Sequence, residues 1–497
     1  MQIDFLEAKD GSKTFSANGI FYHSSYSPVK EAQRFVETSE FVFNPKYIFF
    51  VEPGFSYCVP FIKKQFPDSK TICIRLFDKS FEDEKNWDYI LRYNQITNFS
   101  HTLIQTFGEE ALLSSTVLIW KPAEKLFETQ LGLVISNYKT ALENSKTLLV
   151  TRQFFEKKWL INSCNFIKNT QKIIKPQFDR KLPVVVCASG PSLEPCIDVL
   201  KNKQDKVFII CLSSALSVLL NNSIVPDLVL STDGGYWAGE HLKLLKKRTD
   251  IPLAAPSEAF IPKSILKNNP ILALRYNDES SFISTQILEA AHLPSFEALR
   301  NPTVSGTGLY FAKSITSNNI FFCGLDLCGN KTFQHTQPNE LEKNNELNDN
   351  RIKSKENRIS RSRYNSDSLQ IYRDWFSNLD AQDVSNIYRV IEQDKQKSLG
   401  NIKDITPDDF CEKLQESNTT KKSSFFEQIN IQWQESKKVF EKIYELLNTE
   451  KWKRQIFPAD YISIQNSLNS NDKEQLQQRL DNKIQKLVLK IRKIADE

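Results

Sequence analysis

The segment Pro183–Pro195, PVVVCASGPSLEP, constrains this chain more than any other. Val184 to Ala188 are apolar and mostly β-branched, the pattern of a strand buried on both faces of a parallel sheet. Ser189, Gly190, Pro191 and Ser192 follow at once, and a helical pattern resumes at Leu193. Strand, small-residue turn and helix predict the crevice at the carboxyl edge of an open α/β sheet, where such folds hold ligands. Gly190 admits a close backbone approach. Ser192 is placed to cap the following helix, whose free N–H groups favour an anion. An α/β turn without a ligand has the same composition, so this segment alone leaves both readings open.

At 497 residues the chain has room for two or three domains. A composition 40% hydrophobic and 25% charged fits folded rather than disordered protein. No apolar run reaches the length of a membrane span, and the start, MQIDFLEAKDGSKTF, lacks the apolar region of a signal peptide. The expectation is a cytoplasmic protein that is not integral to a membrane. The nine cysteines show no CxxC pair, which fits a reducing compartment. Cys187, Cys211 and Cys323 fall in strand-like runs and read as buried thiols. Cys323 and Cys328 flank a strand end without two further ligands, so no metal site is read there. The formal charge of +5 is small and spread along helical faces, which argues against a nucleic-acid partner.

The fold class expected is α/β, with two Rossmann-like parallel-sheet units and a C-terminal helical domain. Residues 1–122 form the first unit, with strands at Tyr47–Val51, Lys70–Leu76 and Thr116–Trp120. Only Gly54 stands where a dinucleotide fold would carry GxGxxG, so a scaffold role is favoured. Residues 123–180 read as a helical linker. Residues 181–403 form the central domain, with a polar insertion near 336–363 that suggests an exposed segment or lid. Residues 404–497 read as helical, and Leu480, Ile484, Leu487, Ile491 and Ile494 make a heptad-like stripe. That stripe suits either a homo-oligomer seam or an ordinary helix packed on its own domain.

In the central domain three successive strands end in small polar or acidic residues: Ser189 to Ser192, then Ser213 and Ser214, then Thr232 and Asp233. Side by side in a parallel sheet, these ends converge on one crevice. Asn301–Ile315 adds Ser305, Gly306 and Thr307 at the start of a small-faced helix. The strand Asn319–Leu325 delivers Asp326, and His335 follows. An imidazole titrating near neutrality suits proton transfer. No P-loop and no nucleophile elbow is present.

VVVCASGPSL, the SSA at Ser213–Ala215, IVPDLVLSTDG at Ile224–Gly234 and FFCGLDL at Phe321–Leu327 together resemble the motility-associated factor proteins of flagellated bacteria. These carry a domain similar to 6-hydroxymethylpterin pyrophosphokinase (MptE-like) and related to sialyltransferases. The resemblance is clearest over residues 180–403. It implies a sialyltransferase-like central domain and transfer of a pseudaminic or legionaminic type of nonulosonic acid. The donor would be its CMP-activated form, and the acceptor a Ser or Thr of flagellin before export. It further implies that Ser189, Gly190, Pro191 and Ser192 hold the nucleotide phosphate and that Ser213 and Ser214 touch the donor. Asp233 would face the nucleotide pocket, and Ser305, Gly306 and Thr307 would lie near cytidine and phosphate. Asp326 would shape the pocket floor, with His335 as general base. No tightly bound cofactor is implied, and a divalent metal is left open. Two positions depart from the pattern: Ser189 stands where sialyltransferases have asparagine, and Val304–Gly308 replaces the usual Gly-Gly-Ser-Val-Ala. A Mg²⁺-dependent pterin diphosphokinase and a non-catalytic flagellin-binding factor stay open as alternatives.

Overall fold

The computed structural model describes residues 3–78, 81, 84–177, 180–329, 331–363, 367–392, 397–415, 425–430, 436–467 and 469–497. The chain forms two compact units, Met1–Glu156 with Asn448–Leu487, and Lys157–Leu447 with Val488–Glu497. The helices expected as a separate C-terminal domain are therefore divided between the two. Sequence periodicity shows that a helix is amphipathic but not which sheet its apolar face covers.

The first unit is built on a parallel sheet in the order Tyr89–Arg92, Lys70–Arg75, Tyr47–Val51, Ser115–Ile119. Three of these strands are the apolar runs legible in the sequence. Tyr89–Arg92 is an addition, a four-residue edge with only Leu91 fully buried. An antiparallel sheet of Ile3–Glu7, Lys13–Ala17 and Ile20–Phe21 precedes it. Phe15, Ala17 and Tyr22 from this segment join the same apolar core as Phe49 and Phe50.

The expected linker is mostly one helix, Glu128–Asn169, of 42 residues. It is shared between the units at Glu156 and Lys157. The region then supplies a strand, Lys172–Pro176, to the second sheet.

The second unit holds an 11-stranded sheet. Its order is Lys403–Ile405, Ile387–Val390, Ile320–Cys323, Val184–Cys187, Phe208–Leu212, Leu228–Leu230, Leu253–Pro256, Ile271–Tyr276, Lys172–Pro176, Phe426–Asn430. Phe296–Ala298 pairs beside Ile271–Tyr276. All neighbours run parallel except Phe426–Asn430, which is antiparallel to Lys172–Pro176. The central strands are buried along their whole length, which is why they read as continuous apolar runs. Helix Val304–Ile315 lies on this sheet. A Cβ on its Gly308 would stand 3.3 Å from Val186 and 3.4 Å from Leu212, so the glycine sets how closely helix and sheet approach.

All nine cysteines are free thiols, and Cys187, Cys211 and Cys323 are buried as expected. The stripe Leu480, Ile484, Leu487, Ile491 and Ile494 is buried within the chain. Among the described residues no helix is long and apolar enough to cross a membrane.

Candidate functional site

A parallel sheet opens a crevice where the strand order reverses, because the loops leaving the two adjacent strands turn to opposite faces. Each unit has one such point. In the first unit it falls between Tyr47–Val51 and Ser115–Ile119. In the second it falls between Val184–Cys187 and Ile320–Cys323.

The first crevice is filled by the chain itself. The Tyr22 hydroxyl donates to the Glu52 carbonyl at 2.8 Å, and the Trp120 indole N–H donates to the Tyr22 carbonyl at 2.8 Å. The Phe55 amide donates to His23 Nε2 at 3.0 Å. Gly54 has φ +59, and a Cβ there would lie 2.4 Å from the same nitrogen. The single glycine of this turn thus makes room for His23. A larger cavity of about 610 Å³ lies nearby, between helix Pro28–Thr38 and Trp120–Pro122. Its lining includes Lys30, Glu31 and Arg34 but no nucleophile paired with a base.

The second crevice is open. It encloses about 170 Å³, lined by residues that include Ser189, Gly190, Ser214, Ser305, Asp326 and His335. Gly190 is required by its surroundings: its amide donates to the Gly324 carbonyl at 2.9 Å, and a Cβ would sit 2.6 Å from both that oxygen and Asp326 Oδ2. Asp326 Oδ2 also accepts the Ser192 amide at 3.1 Å. Ser189 Oγ lies 2.8 Å from His335 Nδ1 and accepts the Ser214 hydroxyl at 2.9 Å. Burial pushes the His335 imidazole below its ordinary value. The start of helix Val304–Ile315 brings Val304 and Ser305 to the cavity wall, with Thr303 capping the Ser305 amide. Its unsatisfied N–H groups and partial positive charge suit a phosphate or carboxylate.

The remaining expected residues do not reach the cavity. Pro191 opens a 3-10 helix, Pro191–Cys196, rather than meeting a ligand. Ser192 lies inside that helix and is no cap; its Oγ is buried without a partner among the described residues. Ser213 is half-buried and does not line the cavity, because the turn at the strand end presents Ser214 instead. Asp233 is exposed and folds back on its own turn, accepting the Gly235 amide at 2.8 Å. Gly306 is packed beneath Trp375 and Asn301, and Thr307 Oγ1 donates to the Leu299 carbonyl at 3.4 Å. Helical geometry turns these two residues away from the face that Ser305 presents.

Several participants carry no sequence signal of their own. Gln334, Leu369 and Tyr372 line the cavity, the last two from the face of helix Asp367–Ser377 that reads as ordinary core. Thr336 clamps the site, its amide donating to the Ser189 carbonyl at 2.7 Å and its hydroxyl to the Gly190 carbonyl at 2.8 Å. The Asn339 side-chain amide donates to the Ser214 carbonyl at 3.3 Å, and the Asn344 amide to Glu240 at 2.6 Å. The polar insertion is thus tied over the strand ends, and its helix Lys355–Ser362 is held by Arg358 to Glu342 and Asp349. His241 is a second histidine in the region. Burial, reinforced by the charge of nearby His335, pushes it down to about 4.

Comparison with known proteins agrees with this architecture. Residues 157–332 match the family described as 6-hydroxymethylpterin diphosphokinase MptE-like. An uncharacterized protein of Treponema pallidum (strain Nichols) is 29% identical over 322 residues, 64% of this chain and 69% of its own length. The solved structure of a MAf glycosyltransferase from Magnetospirillum magneticum AMB-1 is similar with a TM-score of 0.50 and 13% identity. The match covers 100% of this chain and 91% of that one. Residues 157–332 are therefore similar to the MptE-like family, within a fold shared along the chain's length with a MAf glycosyltransferase.

Proposed function

We propose that the second unit is a glycosyltransferase that moves a nonulosonic acid of the pseudaminic or legionaminic type from a CMP-activated donor to a Ser or Thr hydroxyl of flagellin. The observation that carries this reading is the switch-point cavity. It joins a helix N-terminus, the Ser189–Gly190 turn, Asp326 and His335 in one place. The fold shared with a MAf glycosyltransferase supports it. The helix start and the hydroxyls suit the anionic end of such a donor. In the transfer, the bond from the anomeric carbon to the phosphate oxygen breaks and its electron pair leaves with CMP. The acceptor oxygen forms the new bond, and its proton passes to His335 or Asp326, the imidazole and the carboxylate lining the cavity.

At about 170 Å³ the cavity suits a phosphate and part of a sugar. Ligand pockets for whole small molecules commonly measure about 300–1,000 Å³. The full donor therefore requires the rim at Gln334, Leu369 and Tyr372 to move outward. The diphosphokinase alternative needs carboxylates gathered around a metal and phosphates. Asp227 instead holds the Ile209 amide at 2.8 Å, Asp233 holds its own turn, and only Asp326 lines the cavity.

The test is co-expression with flagellin and the donor pathway, followed by intact-mass measurement of flagellin. A nonulosonic-acid increment that is lost in Asp326→Asn is the expected result. Flagellin bound without any increment would replace this reading with that of a binding factor.

A further inference from the structure

Resting on the transferase reading for its consequence, we infer that Ser214 and Ser189 hold His335 with its proton on Nε2. His335 then serves the departing phosphate, and Asp326 serves the acceptor hydroxyl. The Ser214 hydroxyl donates to Ser189 Oγ at 2.9 Å, and Ser189 Oγ lies 2.8 Å from His335 Nδ1. A hydroxyl has one proton to give. That of Ser214 goes to Ser189. Among the described residues, the Ser189 proton has His335 Nδ1 as its acceptor. Ser189 is only 5% exposed, and buried hydroxyls keep their donors paired. Nδ1 is therefore an acceptor, and the neutral ring carries its proton on Nε2. Thr336, the next residue, is bound to both the Ser189 and Gly190 carbonyls, so the ring cannot slide along the turn.

The ring lines the cavity, and Nε2 has no protein partner among the described residues. An N–H on a side chain that lines such a cavity can stabilise charge developing on a leaving oxygen. The same nitrogen has no free lone pair with which to take a proton from the acceptor. Asp326 is the carboxylate among the residues lining the cavity. In the balanced step the acceptor proton passes to Asp326, and the electron pair of the broken bond stays on the phosphate. The other titratable groups of this region are Tyr372 on the cavity wall, His241 with Asp233 and Glu240 on its own segment, and Glu340 beyond Thr336. Ser189 and Ser214 are positioning residues in this scheme.

Selective ¹⁵N labelling of the histidine rings tests the proton position in the full chain without sugar transfer. The expected spectrum has His335 protonated at Nε2 and bare at Nδ1, with that preference lost in Ser189→Ala. A wild-type ring protonated at Nδ1 overturns the inference, as does a Ser189→Ala ring with an unchanged preference. The transfer assay then separates the roles. Gln at position 335 offers an N–H but does not accept a proton. His335→Gln is therefore expected to keep most of the rate and the acidic limb of the pH–rate profile, whereas His335→Ala, which removes the N–H, is expected to lower the rate about 100-fold. Loss of that limb in His335→Gln would assign the base to His335. Absence of any transfer by the wild type rejects the transferase reading, whereas the ring spectrum still decides the proton position.

Discussion

Gly190 and Asp326 are packed so closely that a Cβ on Gly190 would lie 2.6 Å from Asp326 Oδ2. The contact joins the two strand ends that flank the switch point of the second sheet. The glycine is needed here for space rather than backbone freedom, since its φ of -68 suits any residue. The Gly324 carbonyl, 2.6 Å from the same Cβ, is backbone and cannot rotate aside. Gly190→Ala is expected to destabilise the protein by about 1–3 kcal/mol and to abolish CMP binding by pushing the two loops apart. Urea denaturation and calorimetric titration with CMP measure the two effects. Unchanged CMP affinity in a folded Gly190→Ala variant would remove the nucleotide from this crevice.

The start of helix Val304–Ile315 gives a second, gentler probe. An Asp at position 305 is favourable to the helix, because a negative charge in the first turn opposes the dipole. It is unfavourable to an anionic ligand in the same cavity. Ser305→Asp is therefore expected to weaken CMP about tenfold, ~1.4 kcal/mol. Ser305→Ala, which adds no charge, should change affinity far less. Equal losses in both variants would show that the hydroxyl rather than the charge matters.

The fold was legible because its central strands are uniformly apolar and end abruptly in small polar residues. Val184–Cys187, Phe208–Leu212 and Ile320–Cys323 could be placed for that reason, and their parallel pairing brings Ser189, Ser214 and Asp326 to one cavity. Short or half-exposed strands such as Tyr89–Arg92 and Phe426–Asn430 carry no comparable signal. Strand ends also do not reveal which residue of a turn faces inward. Ser214 does and Ser213 does not, and Asp233 is spent on its own turn. Thr336 and Asn339 act through polar bonds made far along the chain, which no local pattern encodes. His241 lies near His335 only through the fold, which no local pattern encodes either.

The first unit rests on a buried ion pair. Arg75 Nη1 lies 2.7 Å from Glu52 Oε1, and both side chains are fully buried. Glu52 Oε2 accepts the Leu76 and Phe77 amides at 2.7 and 2.9 Å, and Arg75 also donates to the Gly54 carbonyl at 2.8 Å. The pair therefore ties the loop after Tyr47–Val51 to the end of the neighbouring strand. Arg75→Met leaves the carboxylate buried and without its cation, and is expected to cost about 3–5 kcal/mol. Arg75→Met combined with Glu52→Gln should recover part of that loss. Denaturant unfolding of the three variants forms the test, and an additive double variant would show that the charges do not interact.

His23 gives the same unit a dependence on pH. Burial, aided by the charge of Arg75, pushes its imidazole down to about 3 from an ordinary 6.5. Its Nε2 accepts the Phe55 amide, and its buried Nδ1 has no partner among the described residues. The folded protein holds this ring neutral, whereas the unfolded chain protonates it below about 6.5. Its contribution to stability is complete above that pH and is lost as pH falls toward about 3. The loss approaches ~1.4 kcal/mol per pH unit inside the window. In His23→Gln the side-chain oxygen can still accept the Phe55 amide but takes up no proton. Pulsed hydrogen-exchange labelling of first-unit peptides in urea at pH 7 and pH 5 should show a lower midpoint at pH 5 for the wild type. The difference should shrink in His23→Gln, and an equal shift in both proteins would place the acid sensitivity elsewhere.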